Sequence, residues 1–272
     1  MRMRKKKNLI PRMERCAAVH VQDGFLLRGN WRSLLPGARE LRVELGCGKG
    51  RFTVETAAAE PDILFIAIER VADALVVAME RAMAAGLRNV FFVVGDAAAL
   101  PNYFAEDEVD RIYINFCDPW PPKRQAKRRL THRNFLLLYR KVLKMGGEIH
   151  FKTDNAPLFS FSLEEFPQAG YALSAVTDHL HSQGPCGVMT DYEAKFYADG
   201  IPIHRCVGTK VPWNPPADEQ SLPGSPEPVS QPSEGKKGAH AKALGPLYFI
   251  PPWAISGLPW GVFFPPTTEK SG

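Results

Sequence analysis

Between Leu41 and Asp154, short apolar runs recur, and each closes on a glycine or an acid before a helical stretch begins. LRVEL, residues 41–45, reads as a strand, Gly46-Cys47-Gly48-Lys49-Gly50 as a glycine turn, and Arg51 to Ala59 as a helix that stops at Pro61. A second strand from Ile63 to Ile68 ends in Glu69, and a helix from Val71 to Ala85 stops at Gly86. Val90 to Val94 is the third strand, followed by Gly95-Asp96. Ile112, Tyr113, Ile114 and Phe116 form the fourth, ended by Asp118, after which HRNFLLLYRKVL makes an amphipathic helix up to a Gly146-Gly147 break. Glu148 to Thr153 is the fifth, ending at Asp154, and Ile203 to Val207 is one more. Strands alternating with helices predict an α/β fold: a mostly parallel, twisted sheet with helices on both faces and ligands outside the carboxyl ends of the strands.

Applied to each strand end, that rule returns Gly46 to Gly50, Glu69, Asp96, Asp118 and Asp154. Any single acid there reads first as a helix cap, but four in succession point at one pocket. Gly46, Gly48 and Gly50 let a ligand lie against backbone N–H groups and a helix N-terminus. A nicotinamide dehydrogenase uses G-x-G-x-x-G, whereas this chain has G-x-G-x-G with Glu44 inside the preceding strand, which favours S-adenosylmethionine as the cofactor. Glu69 has two oxygens for two ribose hydroxyls, Asp96 is placed for the adenine edge, and Glu44 lies near the cationic methionine end.

The stretch from Arg111 to Thr131, RIYINFCDPWPPKRQAKRRLT, is apolar, then acidic, then strongly basic. Pro119 biases Asp118 away from helical angles, and Trp120 with Pro121-Pro122 stiffens the exit. Lys123, Arg124, Lys127, Arg128 and Arg129 follow, a density of cations that a polyanion would answer. Trp120 or Tyr192 is a candidate to stack on a splayed base, with core packing the plain alternative for Trp120.

The net charge of +5 is moderate, so local concentrations matter more than the total. Met1 to Arg15 reads as a basic arm without the apolar run of a secretory signal, and Trp31 with Leu34-Leu35 as residues able to dock on the domain that follows. Five scattered cysteines with no C-x-x-C pair argue for reduced thiols, a cytoplasmic setting and no metal. Residues 211–272 read as a Pro-rich, disordered extension, whose last apolar stretch is too broken by prolines to cross a membrane.

VELGCGKG, FIAIER, GDA, FCDPWPPKRQAKRRLT, HFKTDN and TDYEAKF, in that order, resemble the bacterial tRNA (guanine-N7)-methyltransferases over about Leu41 to Phe196. The resemblance implies a Rossmann-like class I S-adenosylmethionine-dependent methyltransferase domain, set here at residues 41–210 after a lead-in of 1–40. It implies tRNA as the partner, with no DNA and no membrane, and methylation of guanine at position 46 of the variable loop by a monomer or homodimer. Glu44, Gly46, Gly48, Gly50, Glu69, Asp96 and Asp118 would then hold the cofactor, Asp118 serving also as the catalytic carboxylate. Arg124, Gln125, Ala126, Lys127, Arg128 and Arg129 would meet RNA, and Pro122, Lys123, Asp154, Thr190, Asp191, Tyr192 and Glu193 the substrate. Members of the family often carry a basic residue where this chain has Pro122, so that contact passes to Lys123. Adenine N6 methylation, or RNA binding without catalysis, are the competing readings.

Overall fold

The computed structural model describes residues 7–214, in which seven strands form one sheet of order β3-β2-β1-β4-β5-β7-β6. These are β1 (Glu40–Leu45), β2 (Ile63–Glu69), β3 (Val90–Val94), β4 (Val109–Asn115), β5 (Leu143–Thr153), β6 (Tyr171–Thr177) and β7 (His204–Lys210). The helices are α1 (Leu9–Arg15), α2 (Arg51–Ala59), α3 (Ala72–Ala84), α4 (Leu100–Tyr103), α5 (Arg133–Val142), α6 (Ala156–Gln168) and α7 (Asp191–Ala198). The first five strands run parallel, and β7 lies antiparallel between β5 and β6. The chain starts in the middle of the sheet at β1, steps outward to β3, and returns to place β4 on the other side of β1. The reversal opens a crevice at the carboxyl ends of β1 and β4, where an open α/β sheet receives ligands.

Burial explains the strands. Ile63 to Ile68 is apolar at every position because β2 is covered on both faces, and all six residues are buried. One face packs Phe65, Ala67 and Phe92 against Phe52, Leu75 and Met79 of α2 and α3, each large side chain contributing roughly 1.5–3 kcal/mol. On the other face Phe151 stacks with Phe159 of α6, and a Cβ on Gly208 would fall 2.4 Å from the Phe166 ring. Toward β4 and β5 the first face turns polar, carrying Glu44, Tyr113, Asn115, His150 and Lys152, and this places chemistry beside the crevice.

Three sequence expectations need correction. The helix after β4 ends at Val142, and Gly146-Gly147 lie inside β5 rather than ending a helix. Val109 pairs with Leu143 but Arg111 with Glu148, so the extra residues bulge out of the ladder; Gly146 supplies the left-handed turn, at φ +75°, that the bulge requires. The basic lead-in is not a free arm from residue 7 onward: Arg12 of α1 grips Glu80 through two hydrogen bonds of 2.7 and 2.6 Å, while Trp31 docks as expected, fully buried and donating from Nε1 to the Tyr103 carbonyl. At the other end, Val211 N–H donates to Gly170 O, Arg140 donates to Val211 O, and the Arg140 guanidinium faces Trp213, so 211–213 pack on the domain. The remainder of the Pro-rich segment and the last apolar stretch lie outside the described residues.

Candidate active site

After β1 the chain makes three left-handed turns, with φ of +78° at Gly46, +56° at Gly48 and +75° at Gly50. At Gly46 and Gly48 an added Cβ would meet nothing within 4 Å, so no neighbour crowds the turn on that side, while their N–H groups donate to Ile68 O and to Glu69. Gly50 differs: a Cβ there would sit 2.4 Å from the Ala78 Cβ, so this glycine serves the contact between α2 and α3. Glu69, at the end of β2, accepts from Gly48 N–H at 3.0 Å and from Val71 N–H at 2.8 Å. The carboxylate thereby holds the glycine turn and is itself fixed in direction. Asp96 caps the following turn through Ala98 N–H at 2.9 Å and pairs with Arg70 at 3.1 Å.

The fourth strand ends at Asn115, not at Phe116 as the apolar pattern predicted. Phe116 N–H still donates to Lys152 O, but its φ of +54° turns the chain out of the sheet, and Trp120 repeats the turn at +42°. Asp118 therefore stands three residues beyond the strand tip, exposed, with no side-chain hydrogen bond or ion pair among the described residues. Neighbouring Cys117 is no nucleophile, because burial pushes its thiol up to about 12. Glu44, buried in β1, accepts from the Thr53 hydroxyl and from Asn115 Nδ2, the latter at 3.0 Å. Burial raises its pKa, and those two hydrogen bonds with nearby Lys152 pull the other way.

These residues line one cleft of about 810 Å³, a volume suited to a nucleoside-sized ligand. Glu44, the glycine turn, Glu69 and Asp96 line it together with Asn115 to Asp118 and Trp120. Thr190, Asp191, Tyr192 and Lys195 close the rim. Of the basic segment, Lys127 and Arg128 reach the cleft, the Arg128 guanidinium lying 3.5 Å from the centre of the Trp120 ring. Arg129 is a strut instead: it donates to the carbonyls of Pro119 and Trp120 at 2.9 and 3.1 Å and covers Phe161. Gln125 and Ala126 use their backbones to build the short helical turn Lys123–Arg128.

Not every expected residue converges. Pro122, Lys123, Arg124 and Asp154 are exposed but outside the cleft lining. Glu193 is fully buried: it closes the capping box of α7 with Thr190, and it holds Lys152 Nζ at 2.6 Å and His181 Nε2 at 3.1 Å. A buried carboxylate so occupied is a structural anchor for α7, while at the rim Thr190 caps that helix and Asp191 pairs with Arg81 at 2.9 Å. Thr53, Asn115, Arg70 and Lys195 escaped the sequence reading. Only Asn115 had a visible signal, a polar residue closing the run IYIN.

The donor set fits S-adenosylmethionine. Acids recur along β3, β2 and β1, the glycine turn is uncrowded at Gly46 and Gly48, and Asn115 Oδ1 is a buried acceptor with no partner among the described residues. A nucleoside with a cationic tail matches that order. Among the described residues there is no cluster of His, Cys, Asp and Glu that would hold a metal, and no helix long and apolar enough to cross a membrane.

Residues 38–206 match the family described as "Putative methyltransferase". The chain is 45% identical to the tRNA (guanine-N(7)-)-methyltransferase of Geobacillus kaustophilus over 193 residues, 71% of this chain and 89% of that protein. It is 42% identical to the protein of the same name from Clostridioides difficile over 212 residues, 77% and 99% of the two chains. Among solved structures, the 16S rRNA methyltransferase KamB superposes with a TM-score of 0.54 at 15% identity, covering 68% of this chain and 94% of that one. The aminoglycoside resistance methyltransferase NpmB1 gives 0.50 at 21% identity, covering 68% and 93%. At such identities these two speak for the class I methyltransferase fold alone.

Proposed function

The chain belongs to the tRNA (guanine-N7)-methyltransferase family, and on that premise we propose how its cleft moves a methyl group from S-adenosylmethionine to N7 of a guanine in tRNA. We take the guanine to be the one at position 46 in the variable loop, as the family resemblance implies. The observation that carries the reading is the succession of acids at neighbouring strand ends on one cleft, with an unpaired Asp118 lining it beside the glycine turn's residues. When bound, the cofactor supplies an electrophilic methyl group on a sulfonium centre. Guanine N7 has an in-plane lone pair and no hydrogen, so no base is needed to strip a proton from the nucleophile. Catalysis is therefore positioning plus stabilisation of the positive charge that the base acquires.

The residues divide accordingly. Glu69 is directed at the ribose hydroxyls, Asp96 at the adenine edge, and Glu44 at the cationic end. The backbone at Gly46 and Gly48 admits the ligand. Asp118 receives the guanine N–H edge and favours the developing cation. Lys127 and Arg128, with Arg124 further out, hold phosphates, which adds affinity without base identity. Trp120 and Tyr192 offer faces on which a splayed base stacks. The working place is the cytoplasm, with tRNA rather than DNA as partner, and the unit a monomer or homodimer.

Calorimetry tests the cofactor assignment directly. The pure protein is expected to bind S-adenosylmethionine without RNA, and NAD more weakly; tighter binding of NAD would overturn the assignment.

A further inference from the structure

We propose that Asn115 is a ligand-positioning residue whose side-chain carbonyl, together with Glu44, receives the α-ammonium group of the cofactor. The inference rests on the cofactor reading above and adds to it a residue that none of the strand-end acids supplies.

Asn115 is the last residue of β4 and is 6% exposed. Its Nδ2 donates to Glu44 Oε1 at 3.0 Å, while Oδ1 is buried without a partner. A buried amide oxygen without a donor is uncommon and costly, so something is expected to fill the position. Turning the amide over does not relieve it. With the other oxygen of Glu44 taken by the Thr53 hydroxyl, the flipped amide would set its own oxygen against a carboxylate, acceptor against acceptor. The residue also lines two spaces, the main cleft and a smaller cavity of about 170 Å³.

The sheet order says which part of the ligand arrives there. Glu69 ends β2, Asp96 follows β3, and both lie on the far side of β1 from β4. If they take ribose and adenine, the amino-acid end of the molecule reaches β1 and β4, where Glu44 and Asn115 both present acceptors. A carboxylate would be repelled by that pair. An ammonium brings three donors to it. Burial raises the pKa of Glu44, and an arriving cation offsets that penalty.

The experiment is a ligand-truncation cycle by calorimetry. S-adenosylhomocysteine carries the ammonium; 5′-methylthioadenosine keeps the nucleoside but lacks the amino-acid end. Asn115→Ala should weaken the first at least about tenfold, the loss expected of one hydrogen bond to a charged group, and the second by less than about twofold. Equal losses for both ligands, or none, would overturn the proposal. Thr53→Val removes the other hydrogen bond on Glu44 and leaves the Asn115 carbonyl in place. If it reproduced the selective loss in full, the effect would belong to Glu44 and the proposal would again be overturned. Should Asn115→Ala unfold below the assay temperature, Asn115→Ser is read in the same way. A parent protein that binds neither ligand would sink the cofactor reading itself, an outcome distinct from a cycle without coupling.

Discussion

Asp118 differs from the other strand-end acids in what it lacks. Glu69 and Asp96 each spend oxygens on backbone N–H groups, and Glu44 on Thr53 and Asn115, so part of their role is architectural. Asp118 stands free on the cleft wall, and its charge is available to whatever base docks there. Asp118→Asn keeps the shape and removes the charge. At saturating S-adenosylmethionine and tRNA, single-turnover methylation should fall by about two to three orders of magnitude, the loss of one strong electrostatic contact at a reacting centre. The thermal midpoint should barely move. A near-parental rate would return Asp118 to the scaffold, since Asn replaces Asp well as a cap or turn former. At this scale the acids that follow the apolar runs at Glu69, Asp96 and Asp118 were legible as residues of one cleft, because a strand hides its side chains and aims its end, whereas Asp154 after β5 falls outside it. Glu193 was not legible, since its partner Lys152 lies 41 residues away and only folding brings them together.

Among elements, the glycine turn and the basic segment each do two jobs that their composition blurs. Gly50 belongs to the packing of α2 on α3, so Gly50→Ala must strain a left-handed residue and push into Ala78. A loss of roughly 2–4 kcal/mol is expected, read as a lowered denaturant midpoint at unchanged slope. An unchanged midpoint would mean that α3 yields freely. In the basic segment Arg129 braces Pro119 and Trp120, whereas Arg124, Lys127 and Arg128 are exposed. Replacing those three by Ala should weaken tRNA binding and flatten its dependence on salt, since fewer counterions are released, and should leave cofactor affinity nearly unchanged. A parental salt slope would make them a solvated face. The β5 boundary was misread for a related reason: Gly146-Gly147 looks like a helix stop, and only the register shift against β4 reveals a bulge.

For the molecule as a whole, periodicity disclosed the parallel half of the sheet, because each buried strand there is a short apolar run between turn signals. The strand β6 was missed, since its solvent-facing residues leave it neither alternating nor continuously apolar. Trp31 was legible as a docking residue, but Arg12 in the basic lead-in was underrated because its partner, Glu80, comes to it only in the folded chain. What the assembled sheet accomplishes is to bring strand-end acids, a glycine turn, an unpaired carboxylate and a cationic rim to one crevice. The most direct test of that account is to incubate the protein with methyl-labelled S-adenosylmethionine and unmodified tRNA, digest the RNA, and identify the labelled nucleoside. Label in 7-methylguanosine, absent when the variable-loop guanine is replaced by adenine, is the predicted result; label in N6-methyladenosine, or tRNA binding without any transfer, would contradict it.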